Sequence, residues 1–359
     1  MASISTIPEI IEDIKQGRMV ILTDDENREN EGDLLMAAQF VTPEAINFMI
    51  THARGLVCMP ISAEIANRLQ LPLMTDKNEA RHRTNFTVSI EAREGITTGI
   101  SAQDRATTIL TAINPVAKPE DIVQPGHIFP LKAEKGGVLV RAGHTEAGVD
   151  LVKMAGLRAG AVICEVMNKD GTMARMPELL DFSEEFGIKV ATIADVIAYR
   201  NQHEQLIIEK GIREINTLWG RFELHIYQDT VSDEIHFAIV KGEIIPDREV
   251  LVRVHDGINF LDFLSPNPNH SFYLPDVLEK IASSEAGVAV FLHRGFDSKD
   301  ILERVLMEKD GNKSVGWDTK SYGVGAQILA HLGVKKMKVM GTAANFVGLQ
   351  GFGIEIVSN

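Results

Sequence analysis

Residues 138–166 read VLVRAGHTEAGVDLVKMAGLRAGAVICEV, and this stretch contains the pattern that decides the fold. Apolar runs at 138–141 and 161–166 predict two strands, and the segment 144–156 between them, which closes on a glycine, predicts a helix. Strands and helices that alternate in this way build a mixed sheet with flanking helices. The stretch therefore predicts the α/β (α+β) class.

The same alternation continues on both sides of this stretch. Further helices are predicted at 7–14, 43–54, 62–70, 101–113, 177–187 and 194–200, and further strands at 19–22, 34–38, 56–59, 85–92 and 189–193. The segment 114–137 is rich in proline and glycine, so it predicts a long irregular loop. Long loops in compact domains are often functional.

The chain is long enough for two domains. Its 359 residues exceed the usual size of one domain, and a polar stretch begins near Arg200. We therefore predict domains at 1–203 and 204–359. The second shows strands at 222–228, 234–242 and 336–340 and a helix at 322–333, which predicts a smaller α/β domain.

Composition limits the classes of function. The formal net charge is -14, which disfavours nucleic-acid and anionic-membrane partners. Two cysteines, Cys58 and Cys164, are too few for a disulfide framework, and residues 1–18 lack the pattern of a signal peptide. A soluble cytoplasmic protein is expected. Cys58 is either close to a site or a packed core cysteine.

The segment RAGHT, residues 141–145, combines groups that suit a phosphate. A strand is expected to end at Arg141, and Thr145 is expected to cap the following helix, whose free N–H groups attract anions. Arg141 adds a donor for phosphate oxygens, and His144 could ligate a metal. An ordinary capped helix with a surface arginine explains the segment equally well.

Three other features leave two interpretations open. Glu165 interrupts an apolar strand, so it is either a water-facing edge residue or a buried acid suited to proton transfer. His127 alone is more often a hydrogen-bonded loop histidine than a catalyst. The run TDDENRENEGD, residues 23–33, has six carboxylates and one arginine; it is either a solvated loop or a site for a cation such as Mg²⁺.

Taken together and in order, these stretches resemble the 3,4-dihydroxy-2-butanone 4-phosphate synthase family. The motifs are DDENRENEGD (24–33), FTVSIEA (86–92), GITTGISAQDRATTI (95–109), KPEDIVQPGHIFPL (118–131), GGVLVRAGHTEAGVDLVKMAG (136–156), CEVMNKDGTMAR (164–175) and ADVIAYR (194–200). Their shared order and spacing favour the cation site over the solvated loop.

The resemblance implies a lyase that converts D-ribulose 5-phosphate to 3,4-dihydroxy-2-butanone 4-phosphate and formate in riboflavin biosynthesis. It implies Mg²⁺ or Mn²⁺ held by Glu29 and His144, and a homodimer. The implied catalytic residues are His127, Glu165 and Asp33. The implied substrate-binding residues are Arg28, Glu29, Asp33, Arg141, Ala142, Gly143, His144, Thr145 and Glu165.

Residues from about 205 onward resemble GTP cyclohydrolase II, but the residues that carry its chemistry are replaced. The stretch 256–270, where that family places zinc-binding cysteines, contains none, and its catalytic segments are replaced at 292–299 and 341–346. Tetrahedral zinc sites depend on such thiolates, and the histidines of this half form no close ligand pair, so no zinc is expected. We predict an inactive GTP cyclohydrolase II-like domain; a bifunctional enzyme and a flavin- or nucleotide-sensing regulator are the alternatives.

Overall fold

The structure is a computed structural model that describes residues 3–26, 28–80, 82, 84–256, 273–293, 319–340 and 352–357. The chain forms two compact units, Met1–Tyr199 and Arg200–Asn359. Across the described ranges, no helix has the length and apolar character needed to cross a membrane.

The first unit is built on a seven-stranded mixed sheet. Its strands are β1 Val20–Thr23, β2 Gly32–Ala37, β3 Cys58–Ile61, β4 Ile90–Ala92, β5 Ile122–Lys132, β6 Ala161–Glu165 and β7 Lys189–Thr192. Their order is β4-β5-β3-β6-β2-β1-β7, with β3/β5 and β1/β7 parallel and the other pairs antiparallel. The predicted α/β class with a mixed sheet is confirmed.

Helices flank this sheet. They are α1 Ile7–Lys15, α2 Pro43–Phe48, α3 Ala63–Arg68, α4 Ala102–Ile113, α5 His144–Met154, α6 Met176–Phe186 and α7 Ile193–His203, the last of which crosses into the second unit. Two predicted caps are present, because the hydroxyls of Thr42 and Ser101 accept the N–H groups of Ala45 and Asp104. The helix predicted at 43–54 is shorter, since a π-helical turn, Met49–Ala53, follows Phe48.

The long loop predicted at 114–137 is wrong in its central part, because Ile122–Lys132 forms the 11-residue strand β5. Prolines usually exclude a segment from the middle of a sheet by removing a donor. Here Pro125 lies in a part of β5 that has no partner on β4, and Pro130 bonds through its carbonyl to the N–H of Thr87 at 2.9 Å. Pro125 therefore costs no hydrogen bond to β4, and Pro130 still joins the sheet through its carbonyl.

Two strand predictions in this unit also need correction. The strand predicted at 138–141 is a 3₁₀ turn, Gly137–Leu139, since Gly136 and Gly137 both have positive φ and turn the chain. The N–H of Val138 then donates to the Asp150 carboxylate at 2.8 Å. The strand predicted at 85–92 is reduced to Ile90–Ala92, preceded by isolated bridges.

The second unit has its own mixed sheet. Its strands are β8 Ile207–Thr217, β9 Gly220–Asp229, β10 Ile235–Lys241, β11 Glu249–Asp256, β12 Gly287–Leu292, β13 Lys336–Val339 and β14 Glu355–Ile356, in the order β14-β13-β11-β12-β10-β9-β8. Strand β8 begins at Ile207, within the polar stretch that starts near Arg200. Charged residues stand between its apolar residues, so the strand pattern is difficult to recognise in the sequence.

Two described helices, α8 Leu274–Ser283 and α9 Thr319–His331, cover opposite faces of this second sheet. Central strand β12 is buried throughout, as its continuous apolar sequence GVAVFL requires. Its Val288 and Val290 pack in the same cluster as α9 residues, whereas Ala289 and Phe291 pack with α8 residues. A second α/β unit is thus confirmed.

Candidate active site

The acidic run forms the loop of the β1–β2 hairpin. The carboxylate of Asp24 accepts the backbone N–H groups of Glu29 at 3.1 Å and Glu31 at 2.8 Å, so it closes the loop on itself. Arg28 places its Nη1 2.8 Å from Asp24 and 2.5 Å from Glu29. Backbone donors and one guanidinium thus offset the repulsion among these carboxylates.

Arg175 holds the same loop from outside. Its guanidinium donates to the backbone carbonyls of Glu29, at 3.0 Å, and of Asn30. Arg175 precedes helix α6, whose first turn carries Glu178, and Glu178 accepts the Arg175 N–H at 2.9 Å. Nothing in the local sequence pattern of this arginine shows that it reaches a loop some 145 residues earlier.

His144 lies at the start of helix α5, buried against strand β1. Its Nε2 is 3.0 Å from the Leu22 carbonyl oxygen, and since a carbonyl can only accept, Nε2 carries the proton in this contact. The Nδ1 lone pair then remains, 4.0 Å from the Glu29 carboxylate. Burial lowers the pKa of His144, which favours the neutral ring that a metal requires.

Three side chains near this point could hold a cation. One ligand atom from each of Asp24, Glu29 and His144 lies within 4.8 Å of the others. Two carboxylates and a neutral imidazole suit Mg²⁺ or Mn²⁺, which prefer oxygen ligands and accept nitrogen. The structure brings the predicted pair Glu29 and His144 together, and Asp24 lies beside them.

Asp33 and Glu165 face each other across strands β2 and β6, directly beside this group. They are paired in register, and Asp33 Oδ1 is 3.9 Å from His144 Nε2. Oδ1 of Asp33 is buried without a hydrogen-bond partner among the described residues. Burial raises the pKa of Asp33 well above its ordinary value, and the charge of Glu165 raises it further.

Glu165 is a partly buried acid rather than a water-facing edge residue. Strand β6 lies inside the sheet between β3 and β2, and burial raises the pKa of Glu165. Its Oε2 accepts the N–H of Leu56 at 2.8 Å. A Cβ at Gly55 would lie 2.7 Å from the Glu165 backbone nitrogen, so the chain after the π turn approaches Glu165 more closely than a side chain would allow.

His127 lies on strand β5 and is 44% exposed. Its Nδ1 contacts the carboxylate of Glu91. Among the contacts of the described residues, none joins His127 directly to Asp33, Glu165 or His144. The fold therefore brings most predicted catalytic and metal-binding residues together in the hairpin region and leaves His127 on a separate strand.

The RAGHT segment differs from its predicted local structure. Gly143, not Thr145, is the N-cap of α5, and Thr145 is a buried residue of the first turn. Arg141 is half-buried, with Nη1 2.5 Å from Glu146 and Nη2 2.7 Å from the Thr84 hydroxyl. Ala142 is exposed. Arg141 thus joins the helix start to the chain at residue 84.

Both cysteines are packed beneath the site. Cys58 on β3 is 2% exposed and Cys164 on β6 is fully buried. Burial raises the pKa of Cys58, and it raises the pKa of Cys164 to about 12. Thiols with raised pKa values are poor nucleophiles and poor metal ligands, which supports the core interpretation of Cys58.

The second unit resembles GTP cyclohydrolase II, but its zinc-binding and catalytic stretches are replaced. These stretches, 256–270, 292–299 and 341–346, lie largely outside the described residues. Asp229, Glu234 and His236 form a described group of metal-ligand type. However, Nδ1 of His236 accepts the backbone N–H of His293 at 3.1 Å, so Nε2 carries the proton and faces Asp229 at 3.9 Å. His236 has no lone pair left for a metal, and the group is best described as an Asp–His pair.

Comparisons with known proteins agree with both units. The family profile described as 3,4-dihydroxy-2-butanone 4-phosphate synthase matches residues 8–199, and the one described as GTP cyclohydrolase II matches residues 209–359. A 3,4-dihydroxy-2-butanone 4-phosphate synthase of Neisseria meningitidis serogroup B is 61% identical over 357 residues, covering 99% of this chain and 98% of the relative.

Solved structures are similar over the same ranges. The crystal structure of RibBX, a two-domain 3,4-dihydroxy-2-butanone 4-phosphate synthase from A. baumannii, is 45% identical, with a TM-score of 0.83, and covers 99% of this chain and 100% of that chain. A 3,4-dihydroxy-2-butanone 4-phosphate synthase in complex with two magnesium ions is 42% identical, with a TM-score of 0.54, and covers 55% of this chain and 98% of that one. With a matching profile over more than half of its length and a 61% identical relative that carries the family's name over nearly its full length, this chain belongs to the 3,4-dihydroxy-2-butanone 4-phosphate synthase family.

Proposed function

We propose that the chain is a lyase of riboflavin biosynthesis, which converts D-ribulose 5-phosphate to 3,4-dihydroxy-2-butanone 4-phosphate and formate. The observation that carries the proposal is the pair of carboxyl groups with raised pKa values, Asp33 and Glu165, beside the group of Asp24, Glu29 and His144. The atoms of the two products add up to those of the substrate. The reaction therefore needs proton transfers and charge stabilisation, but no redox partner.

Asp33 and Glu165 are assigned to proton transfer. A carboxyl group whose pKa is raised by burial can hold a proton closer to neutral pH and release it to a neighbouring base. Oδ1 of Asp33, which has no hydrogen-bond partner in the described part of the chain, is available to a substrate hydroxyl. His127 is assigned a supporting role in catalysis.

Glu29 and His144, with Asp24 beside them, would hold Mg²⁺ or Mn²⁺. The ion would supply positive charge against the negative oxygens that develop as the sugar enolises. The hydrogen bond from Nε2 of His144 to the Leu22 carbonyl orients the ring, so that its lone pair points to Glu29. Arg175 keeps Glu29 in place through the backbone of the loop.

The start of helix α5 is assigned to the phosphate of the substrate. Backbone N–H groups of the first turn, such as that of Thr145, have no partner within the helix and offer an anion site, which the N-cap Gly143 borders. Arg141 supplies a guanidinium at the same end, and Ala142 leaves the approach open. Arg28 and Asp33 are assigned to the sugar hydroxyls.

The setting of the enzyme is part of the same proposal. We expect a cytoplasmic homodimer that binds a sugar phosphate as its substrate. The net charge of -14 is in keeping with the absence of a nucleic-acid or membrane partner. Light scattering during size-exclusion chromatography tests the dimer. A mass of one chain, about 39.5 kDa, would contradict it.

The experiment that tests the reaction is incubation of the purified protein with ribulose 5-phosphate and Mg²⁺, with formate as the readout. Formate release should require the metal, stop with EDTA and resume when Mg²⁺ or Mn²⁺ is added in excess. Absence of metal-dependent formate from a folded protein would contradict the proposed function.

For the second unit we propose loss of GTP cyclohydrolase activity. No cysteine follows Cys164 in the sequence, so the three-thiolate zinc site of that family cannot form. Incubation with GTP and zinc should therefore give no formate under conditions where ribulose 5-phosphate does. Zinc-dependent formate from GTP would show instead that the chain is bifunctional.

A further inference from the structure

Strands β4 and β5 pair irregularly beside His127. Ile90 is in register with Ile128, whereas the next residue, Glu91, is in register with Val123. Residues 124–127 therefore bulge out of the ladder opposite a single step of β4. Bulges of this kind change the direction of a side chain and are common next to active sites.

Strand β4 fixes the backbone of this bulge. The N–H of Gly126 donates to the Ser89 hydroxyl at 3.1 Å. A Cβ at position 126 would overlap the main chain of Ile90, so the close approach requires glycine. The backbone next to His127 is thus held by two neighbouring residues of the β4 region.

Glu91 holds the ring itself. Its carboxylate contacts Nδ1 of His127, and its side chain is 14% exposed, against 44% for the histidine. Gly99, with a φ of +88°, lies against this carboxylate where a Cβ would overlap it. The Glu91 carboxylate is therefore confined between the turn and the His127 ring.

The turn behind Glu91 is itself anchored. Asp104 accepts the N–H of Gly99 at 3.0 Å and the hydroxyl of Thr97 at 2.7 Å. Asp104 lies in the first turn of helix α4, and its N–H donates to the hydroxyl of the N-cap Ser101 at 3.0 Å. Helix, turn, carboxylate and imidazole thus form a continuous chain of contacts that ends at the exposed face of His127.

We propose that Glu91 is a positioning residue for His127: its carboxylate accepts the Nδ1–H, which fixes the tautomer and leaves the Nε2 lone pair on the accessible side of the ring. A carboxylate partner of this kind orients the imidazole of catalytic histidines and selects the nitrogen that acts as base. The part of the inference that concerns catalysis rests on the proposed function. The tautomer assignment stands on the contacts alone.

Nuclear magnetic resonance of ¹⁵N-histidine-labelled protein tests the tautomer without substrate, with His127→Gln to assign the signals. The neutral His127 ring should show a protonated Nδ1 in the native protein and should lose that preference in Glu91→Ala. A native ring protonated at Nε2 would overturn the assignment. Glu94→Gln, an exposed carboxylate two residues past β4, is the matched control and should leave the His127 signals unchanged.

Kinetics test the catalytic part on the full chain. Because a lost orienting partner commonly reduces activity by about 10- to 100-fold, Glu91→Ala should lower kcat by that factor with little change in KM. Glu91→Gln, which preserves the shape and an acceptor oxygen, should recover part of the loss, and it serves as the main variant if the alanine protein does not fold. A kcat within twofold of native in both variants would overturn the proposal.

A native protein that shows the Nδ1–H tautomer but releases no formate would refute the proposed function and not the tautomer assignment.

Discussion

Asp33 illustrates at the scale of one residue how this site departs from ordinary packing. A buried carboxyl oxygen without a hydrogen bond costs folding free energy, and such groups persist where chemistry requires them. Burial raises the pKa of Asp33, so the folded protein binds this proton more tightly than the unfolded chain does. The tighter binding of this proton stabilises the folded protein at acid pH, and the contribution is lost as the pH rises through the folded-state pKa of Asp33.

Asp33→Asn should therefore separate stability from activity. The amide is neutral and nearly isosteric, so the free energy of unfolding at neutral pH should be unchanged or higher, while formate release should fall by about 100-fold or more because the proton carrier is gone. Urea unfolding and the formate assay measure the two effects. Asp181→Asn, on the exposed side of helix α6, should alter neither. A destabilised but active Asp33→Asn protein would contradict this role.

At the same scale, the resemblance to the family pointed to Glu29, Asp33, His144 and Glu165, whereas local pattern alone left their roles open. Sequence patterns could not identify Asp24 as a neighbour of His144, or Arg175 as a donor to the hairpin loop. Both contacts depend on how the chain closes over long separations. Local pattern contains no signal for either.

At the scale of elements, the π turn Met49–Ala53 and the following Gly55 determine where Glu165 lies. Gly55→Ala should force the chain away from Glu165, since the added methyl group would overlap its backbone and carboxylate. We expect at least a tenfold loss of formate release and a lower melting temperature. Gly211→Ala, where a Cβ meets no atom within 4 Å, is the control for the substitution itself. Native activity in Gly55→Ala would show that this approach is not required.

The elements themselves were predictable to different degrees. Periodic helices such as α1 and α5 and apolar strands such as β1 and β6 are confirmed, because their local pattern and their tertiary burial agree. Strand β5 was missed because proline and glycine suggested a loop, although partners from β3 and β4 supply its pairing. The turn at Gly137 was mistaken for a strand, since apolar residues there pack without entering the sheet.

At the scale of the whole molecule, the chain forms two units with separate cores. Our boundary at residues 203 and 204 falls at the end of α7, and the compact units divide between Tyr199 and Arg200. Sequence resemblance could indicate the cyclohydrolase-like nature of the second unit. The proposed loss of activity in that unit rests on the sequence, because no cysteine follows Cys164.

The second unit should show its own acid sensitivity through Asp229. Burial opposes its charge, but the nearby His236 and hydrogen bonds from the N–H groups of Ser232 and Val231 outweigh that effect and lower the pKa of Asp229 to about 2. A lowered folded-state pKa contributes stability above the unfolded value, near pH 4, and that stability is lost as the pH falls towards 2. The contribution at neutral pH is about 2 kcal/mol.

Asp229→Asn should lower the free energy of unfolding at pH 7 by about this amount, and the difference from native should shrink between pH 4 and pH 2. Chemical unfolding followed by tryptophan fluorescence, with Trp219 in the same unit, measures it. Asp233→Asn changes an exposed neighbour with positive φ, a conformation that asparagine tolerates, and should be neutral. A deficit that stays constant with pH would contradict the assignment to charge.

The most direct test of the whole account compares two glutamates of one loop. Glu29 lies 4.0 Å from His144, whereas Glu26 is exposed on the same hairpin loop. With ribulose 5-phosphate and saturating Mg²⁺, Glu26→Gln should release formate at the native rate, and Glu29→Gln should lose at least 100-fold while it keeps its native melting temperature. Equal rates in the two variants would contradict the claim that the hairpin loop is a metal-dependent active site.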